Sequence, residues 1–125
     1  MYHFSLVALG GGIGASSRHL VNMGALRLFG TGFPAGTMAV NIVGGLLMGL
    51  LAGWLVRRGS ATNELRLFLG TGVLGGFTTF SAFSLDAVTL WQRGTWGTAL
   101  GYVLGSVLAS IAALLAGLWI MRAAA

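Results

Sequence analysis

Four long apolar runs constrain what this chain can fold into more than any other feature of its sequence. They cover roughly residues 4–28, 35–56, 65–91 and 96–121, and 56% of the 125 residues are hydrophobic. A helix that crosses a bilayer needs about 20 predominantly apolar residues, because the hydrocarbon core is about 30 Å thick. The sequence therefore predicts an all-α integral membrane protein. We expect one domain, residues 1–125, with four transmembrane helices embedded in a lipid bilayer.

The charged residues exclude several classes of function. The chain has seven basic residues, all of them arginine, and two acidic residues, giving a formal net charge of +5. The arginines lie singly or in one pair, mostly at the ends of the apolar runs, as is typical of anchors at a membrane interface. Because there is no basic arm, nucleic acid is not an expected partner. The sequence also lacks cysteine, paired carboxylates, a nucleophile motif and a metal cluster, so neither enzyme activity nor a protein substrate is expected.

The third apolar run contains a stretch, Gly70–Ser84, that differs from ordinary lipid-facing helix. It reads GTGVLGGFTTFSAFS. Its glycines lower helical stability. Its hydroxyl side chains belong to Thr78, Thr79, Ser81 and Ser84. Irregular backbone at membrane depth is tolerated only where protein buries it or where it lines a cavity. We interpret the stretch as a helix that is broken near its middle, at Gly75–Thr79, beside a polar pathway. The alternative is a continuous helix whose glycines let its neighbours approach closely.

Polar residues in the second and fourth runs recur at helical spacing. Asn41 follows Thr37 by four residues, and small residues continue that face at Gly45, Gly49 and Gly53. In the fourth run the same spacing of four relates Tyr102, Ser106 and Ser110. Either set can be purely structural, because an asparagine can join two helices and a hydroxyl often bonds to the carbonyl four residues earlier. Together they make good candidates for side chains that line a pore.

Arg18 and Asp86 are the charged residues whose surroundings need an explanation. An arginine at the centre of a bilayer costs about 2.5–3.5 kcal/mol, so Arg18 is expected to face a partner, the headgroups or a water-filled vestibule that attracts anions. Asp86 follows the predicted break, and we expect it to pair with an arginine such as Arg18 or Arg93. The other three runs lack any carboxylate. Many donors and few carboxylates favour permeation of anions over cations.

The arginines give little guidance on orientation. Four spans place both ends of the chain on one side of the membrane. That side would hold Arg57, Arg58, Arg66 and Arg122, and the other side Arg18, Arg27 and Arg93. Four arginines against three is a weak bias, because cytoplasmic loops normally carry a clear excess of positive charge. The chain could therefore insert in both orientations.

Three motifs resemble those of the small bacterial fluoride channels of the Fluc family. They are GIGASSR at Gly12–Arg18, PAGTMAVNIVGG at Pro34–Gly45 and GVLGGFTTFSAFSLD at Gly72–Asp86. The third is the most specific, and the spacing of the four apolar runs matches over nearly the whole length. The resemblance implies an antiparallel, dual-topology homodimer with two pores, each lined by both subunits.

The resemblance also implies roles for individual residues. Asn41 matches a pore asparagine, and Phe80 and Phe83 match a pair whose ring edges face fluoride. The hydroxyl-bearing residues that we place on the same pathway are Thr79, Ser81, Ser84, Tyr102, Ser106 and Ser110.

Further matches concern the ends and the centre of the pore. Arg18 matches an arginine near the wide aqueous mouth. Gly75 and Thr78 match residues whose backbone carbonyls, from both subunits, hold one structural sodium ion on the dimer axis. The chain departs from the family pattern at Ala82, where a threonine is usual, and at Asp86, where a glutamate is common.

The function implied is passive export of fluoride through the bacterial inner membrane, which relieves fluoride toxicity. Two alternatives belong to other classes. One is a small dual-topology exporter of drugs or cations, which normally uses an embedded carboxylate. The other is a membrane scaffold that transports nothing, which would explain the glycines but not the aligned donors.

Overall fold

The computed structural model describes residues 2–58 and 62–124, and in these two ranges the regular structure is all helical. The elements in chain order are α1 (Tyr2–Phe29), α2 (Ala35–Arg58), α3 (Asn63–Leu65), a π-helical stretch (Arg66–Leu74), α4 (Gly75–Phe77), α5 (Phe80–Gln92) and α6 (Trp96–Ala123). The turn after α1 uses Gly30 at a φ of 74°, and the turn after α5 uses Gly94 at a φ of 82°. Both angles lie in the left-handed region that glycine adopts without steric cost.

Three helical segments are long and apolar enough to cross a membrane: Ala35–Arg58, Asn63–Gln92 and Trp96–Ala123. The sequence predicted four. The fourth, α1, has 28 residues, which is sufficient in length. Its second half carries Ser16, Ser17, Arg18 and His19. These polar residues lower its mean hydropathy, so the structure has three candidate spans and the membrane crossing by α1 stays a prediction.

The third span is not a regular helix. After one α-helical turn, Arg66–Leu74 forms a π-helix. This kind of helix is rare in proteins, and where it occurs it often lies at a functional site. The backbone then becomes extended at Thr78 (φ −89°, ψ 158°) and Thr79 (φ −152°, ψ 123°), and α5 begins at Phe80. The predicted break is thus present, but it is confined to two residues, because Gly75–Phe77 remain helical.

Glycines allow the helices to approach closely. A Cβ atom added at Gly45 would lie 2.7 Å from the carbonyl oxygen of Ser110, and one at Gly49 would overlap that of Leu114. These contacts join α2 to α6 along their length, as the predicted small-residue face requires. On the other side, a Cβ at Gly10 would lie 2.5 Å from the carbonyl oxygen of Phe68, so α1 lies directly against the π-helical stretch.

Candidate functional site

The side chain of Asn41 holds the broken backbone in place. Its Nδ2 donates to the carbonyl oxygen of Thr79 at 3.0 Å, and its Oδ1 accepts from the N–H of the same residue at 2.8 Å. Thr79 is extended and lies at the N-terminal cap of α5, so its N–H has no acceptor in a regular helical turn. A backbone N–H or C=O left unpaired away from water is costly, so one amide in α2 satisfies both groups of the break.

Two neighbouring residues support the break further. The Oγ1 of Thr79 accepts from the N–H of Ala82 at 3.1 Å and so caps the first turn of α5. Arg18, half-buried, donates from Nε to the carbonyl oxygen of Gly76 at 3.1 Å. Of the surroundings predicted for Arg18, the structure shows a partner, and this partner is the backbone beside the break. Whether water also reaches its guanidinium from a vestibule is a prediction.

The bonds at the break leave two carbonyl groups without their usual donors. In a regular helix the N–H of residue i+4 donates to the carbonyl of residue i. The N–H of Thr79, the regular donor to Gly75, goes to Asn41, and that of Ala82, the regular donor to Thr78, goes to the Thr79 hydroxyl. Carbonyl oxygens in this state suit a hard cation such as sodium. The hydrogen bonding at Gly75 and Thr78 is therefore compatible with the sodium site that the family resemblance implies, and that site stays a prediction.

A groove of about 390 Å³ opens beside the break, between α2, α5 and α6. It is lined by Asn41, Gly44, Gly45, Met48, Thr78, Thr79, Phe80, Phe83, Ser106, Val107, Ser110, Ile111 and Leu114. No charged side chain is among them. The groove brings together six of the predicted pathway residues: Asn41, Thr79, Phe80, Phe83, Ser106 and Ser110. Three others, Ser81, Ser84 and Tyr102, do not line it.

Two serine hydroxyls in the groove have no hydrogen-bond partner among the described residues. They are Ser106 Oγ and Ser110 Oγ, both shielded from solvent on α6. An unsatisfied buried donor costs about 1–3 kcal/mol. The alternative expectation is that such hydroxyls bond to the carbonyl four residues earlier in their own helix. Among the described residues, neither Ser106 nor Ser110 makes this bond. Ser84 does make it, since its Oγ donates to the carbonyl oxygen of Phe80 at 2.9 Å.

The two phenylalanines occupy different environments within one subunit. Their ring centroids are 5.6 Å apart, but Phe83 is 8% exposed whereas Phe80 is 77% exposed at the edge of the groove. Phe83 also contacts the ring of Tyr102 at 5.3 Å. Both ring pairs are tilted, with interplanar angles of 47° and 41°.

Tyr102 lies behind the groove and is fully buried. Its hydroxyl donates to Asp86 Oδ2 at 3.1 Å. The expected ion pair between Asp86 and an arginine is absent from the described part of the chain, where Arg93 instead donates to the carbonyl oxygen of Thr31 at 3.4 Å. The hydroxyl of Tyr102 takes the place of the expected arginine as the partner of Asp86, because α6 packs against α5 at this position.

Sequence reasoning missed the apolar half of the groove. Gly44 and Met48 lie three and seven residues after Asn41 on α2, and Val107, Ile111 and Leu114 flank the two serines on α6. Helical spacing from the polar residues was the signal that could have found them. It does not show which of the residues near a polar stripe turn towards a neighbouring helix.

The fold and the site together define a class of protein: a membrane protein with several spans, a broken helix and an uncharged, donor-bearing groove, as expected of a channel. The model of the family described as "CrcB-like protein, Camphor Resistance (CrcB)" matches residues 5–118. The chain is 59% identical over 123 residues to the fluoride-specific ion channel FluC of Mesorhizobium japonicum, covering 98% of each chain. It is 58% identical to the FluC channel of Chelativorans sp., with the same coverage.

The FluC channel of Cereibacter sphaeroides is 58% identical over 116 residues, covering 93% of this chain and 91% of the relative. The chain belongs to the CrcB/FluC family of fluoride-specific ion channels. The resemblance that its motifs indicated is thereby confirmed, and the family is one of channels rather than enzymes.

Proposed function

We propose that this chain forms a fluoride-selective channel that lets fluoride leave the bacterial cytoplasm passively through the inner membrane. The proposal is supported by the family and by relatives whose names state fluoride specificity over nearly the whole length of the chain. The structural observation that carries it is a pair of hydroxyls in an uncharged groove, Ser106 Oγ and Ser110 Oγ, which have no hydrogen-bond partner within the described ranges.

These hydroxyls suit a small, strongly hydrated anion. Fluoride only accepts hydrogen bonds. A hydroxyl group in a groove without carboxylates can donate to the ion and so replace one water molecule of the fluoride hydration shell. Asn41 Nδ2 carries a second hydrogen besides the one given to Thr79. The rings of Phe80 and Phe83 add positive edges. Conduction requires such contacts to be several and individually weak, and each residue of this set offers one contact of modest strength.

The driving force needs no coupling residue in the protein. Hydrogen fluoride is a weak acid that crosses lipid as a neutral molecule and dissociates in the more alkaline cytoplasm. The negative membrane potential then drives the trapped anion outwards. Each elementary charge gains about 2.3 kcal/mol per 100 mV. Ser81, Ser84 and Tyr102 extend the proposed path beyond the groove, which Thr79 lines.

We further propose that two copies assemble in antiparallel orientation as a single-domain, four-span homodimer. Two observations support this: the groove is open within one subunit, with Phe80 exposed at its edge, and the arginines are nearly balanced between the two sides. In such a dimer the carbonyls of Gly75 and Thr78 from both subunits would hold the sodium ion. The ion would supply positive charge and a link between subunits at the break. Arg18 would add positive charge near the mouth.

The decisive experiment is anion efflux from liposomes that contain the purified full-length protein. Fluoride and chloride release are followed with ion-selective electrodes after valinomycin is added to liposomes loaded with potassium salts. We expect fast fluoride release and little chloride release. An exporter of drugs or cations would release neither anion and would respond to a proton gradient, whereas a scaffold would show no transport at all.

The site is tested by removing single hydroxyls. We expect Ser106→Ala and Ser110→Ala each to slow fluoride release by about tenfold, the factor that corresponds to a contact of about 1.4 kcal/mol. Ser17→Ala is the matched control, because Ser17 Oγ donates to the carbonyl oxygen of Ile13 at 2.8 Å and the residue lies outside the proposed path. If all three variants conduct like the parent protein, the channel assignment stands and the proposed pathway is rejected.

A further inference from the structure

Three arginines lie where the neighbouring helices α2 and α6 end. Arg57 and Arg58 are the last two residues of α2, and Arg122 lies in the last turn of α6. Arg57 Nη1 donates to the carbonyl oxygen of Met121 at 3.2 Å, immediately before Arg122. All three side chains belong to exposed residues. We call these three residues the basic end.

Within residues 2–58 and 62–124, the acidic side chains do not neutralise Arg57 and Arg122. There are two, Glu64 and Asp86. Glu64 accepts from the hydroxyl of Tyr2 at 2.6 Å and lies 3.5 Å from His3 Nε2, and Asp86 accepts from Tyr102. The carboxyl ends of two helices contribute about half a negative charge each. That total of about one negative charge is less than the two positive charges of Arg57 and Arg122 alone.

The residues next to the basic end are apolar and aromatic. Arg58 lies over the ring of Trp54, with its guanidinium carbon 5.2 Å from the ring centroid. Val56 is 81% exposed and Trp119 is 68% exposed. Tryptophan is typical of the headgroup level of a bilayer, and apolar side chains one turn deeper face the acyl chains. The polar end of a ligand bound here would therefore contact positive charge, and its apolar part would contact the exposed apolar side chains next to the arginines.

We propose that the basic end binds an anionic phospholipid through its phosphate group. A guanidinium matches a phosphate oxygen pair in geometry and charge, and the exposed apolar residues beneath it match the attached acyl chains. This inference does not depend on fluoride conduction, since none of the residues involved lines the groove. A free phosphate would meet only the guanidinium groups, so the test separates the two sources of the phosphate chemistry.

The test is a lipid titration of the intact, full-length protein in detergent, followed by native mass spectrometry. Phosphatidylglycerol and phosphatidylcholine with the same acyl chains are compared. We expect phosphatidylglycerol to bind more tightly to the parent protein. Each basic residue near a membrane surface contributes about 1 kcal/mol of attraction. Arg122→Gln should therefore weaken phosphatidylglycerol binding about fivefold, and the double variant Arg57→Gln/Arg122→Gln about 25-fold.

Arg27→Gln is the matched control, because Arg27 is also an exposed arginine in the last turn of a helix, α1. It should bind phosphatidylglycerol like the parent protein. Arg122→Lys keeps the charge and should retain most of the binding. Unchanged elution from a size-exclusion column and unchanged helical circular dichroism show that each variant is folded.

Three results would overturn the proposal. Equal affinity for the two lipids would mean that no anionic headgroup is recognised. An equal loss in Arg27→Gln would mean that any surface arginine attracts the lipid. Displacement of the lipid by inorganic phosphate or glycerol 3-phosphate at comparable concentration would mean that the site takes a soluble anion and not a lipid.

Discussion

The amide of Asn41 pairs with both backbone groups of Thr79, donating to its carbonyl at 3.0 Å and accepting from its N–H at 2.8 Å. One side chain on α2 thus supplies both a donor and an acceptor to the residue at which the helix is broken. Because the N–H of Thr79 is taken by Asn41, the carbonyl of Gly75 loses its helical donor. The same contact therefore stabilises the break and leaves the Gly75 carbonyl oxygen available to the sodium ion that we propose.

Asn41→Ala should destabilise the folded protein, and this effect can be measured without any measurement of ion conduction. It removes partners from an N–H and a C=O that are half-buried, and we expect a loss of about 1–3 kcal/mol in the free energy of unfolding. Denaturation in mild detergent, followed by circular dichroism, measures this loss. Asn63→Ala, at an exposed position, serves as the control. Equal stability of the two variants would show that the Asn41 amide does not support the break.

Arg18 should protect the backbone that precedes the break. Replacing it with methionine removes the hydrogen bond from Nε to the carbonyl of Gly76 but keeps an unbranched side chain of similar reach. We expect faster amide hydrogen exchange over residues 76–82 in Arg18→Met, measured by mass spectrometry of peptic fragments. Arg27→Met changes an exposed arginine on the same helix and should leave this exchange unchanged. An unchanged rate in Arg18→Met would restrict Arg18 to an electrostatic role.

The sequence predicted the location of the break but not its extent. Glycine and threonine at 75–79 marked a weak point in an apolar run, yet Gly75–Phe77 stay helical, because local propensity is a weak guide where tertiary contacts supply the missing bonds. The π-helical turns of Arg66–Leu74 had no sequence signal. They lie where α1 packs directly against this stretch through Gly10.

The sequence predicted which residues form the candidate site better than it predicted where their side chains point. Helical spacing placed Asn41, Ser106 and Ser110 on faces that do meet at the groove. Spacing alone could not separate Ser84, which bonds to its own helix, from Ser106, which has no partner among the described residues. That difference depends on which face of α5 lies towards α6 after the break. Only the three-dimensional fold determines which face this is.

Glycine substitutions should distinguish close packing from simple flexibility. Gly49→Ala places a Cβ against the carbonyl oxygen of Leu114 on α6, whereas Gly101→Ala meets no atom within 4 Å in the subunit. We expect Gly49→Ala to cost about 1–3 kcal/mol because two packed helices must separate. Gly101→Ala should be neutral or stabilise the helix by up to about 1 kcal/mol. Thermal unfolding in detergent provides the comparison, and a greater loss in Gly101→Ala would contradict this account of α2–α6 packing.

The two tyrosine–carboxylate pairs of the chain provide a final prediction, because they differ mainly in burial. Tyr102 is fully buried and donates to Asp86, whereas Tyr2 is 58% exposed and donates to Glu64. Tyr102→Phe keeps the ring that packs against Phe83 but leaves the carboxylate without its donor in a water-poor setting. Tyr2→Phe leaves Glu64 close to solvent, which can replace the lost bond.

We therefore expect Tyr102→Phe to lower the free energy of unfolding by about 1–3 kcal/mol, and Tyr2→Phe to lower it by less than about 1 kcal/mol. Chemical denaturation of both variants in the same detergent gives the comparison. Tyr102→Phe/Asp86→Asn should recover part of the loss, since a neutral amide is cheaper to bury than a carboxylate. If the double variant is no more stable than Tyr102→Phe, the cost lies in packing around the ring and not in the unpaired charge.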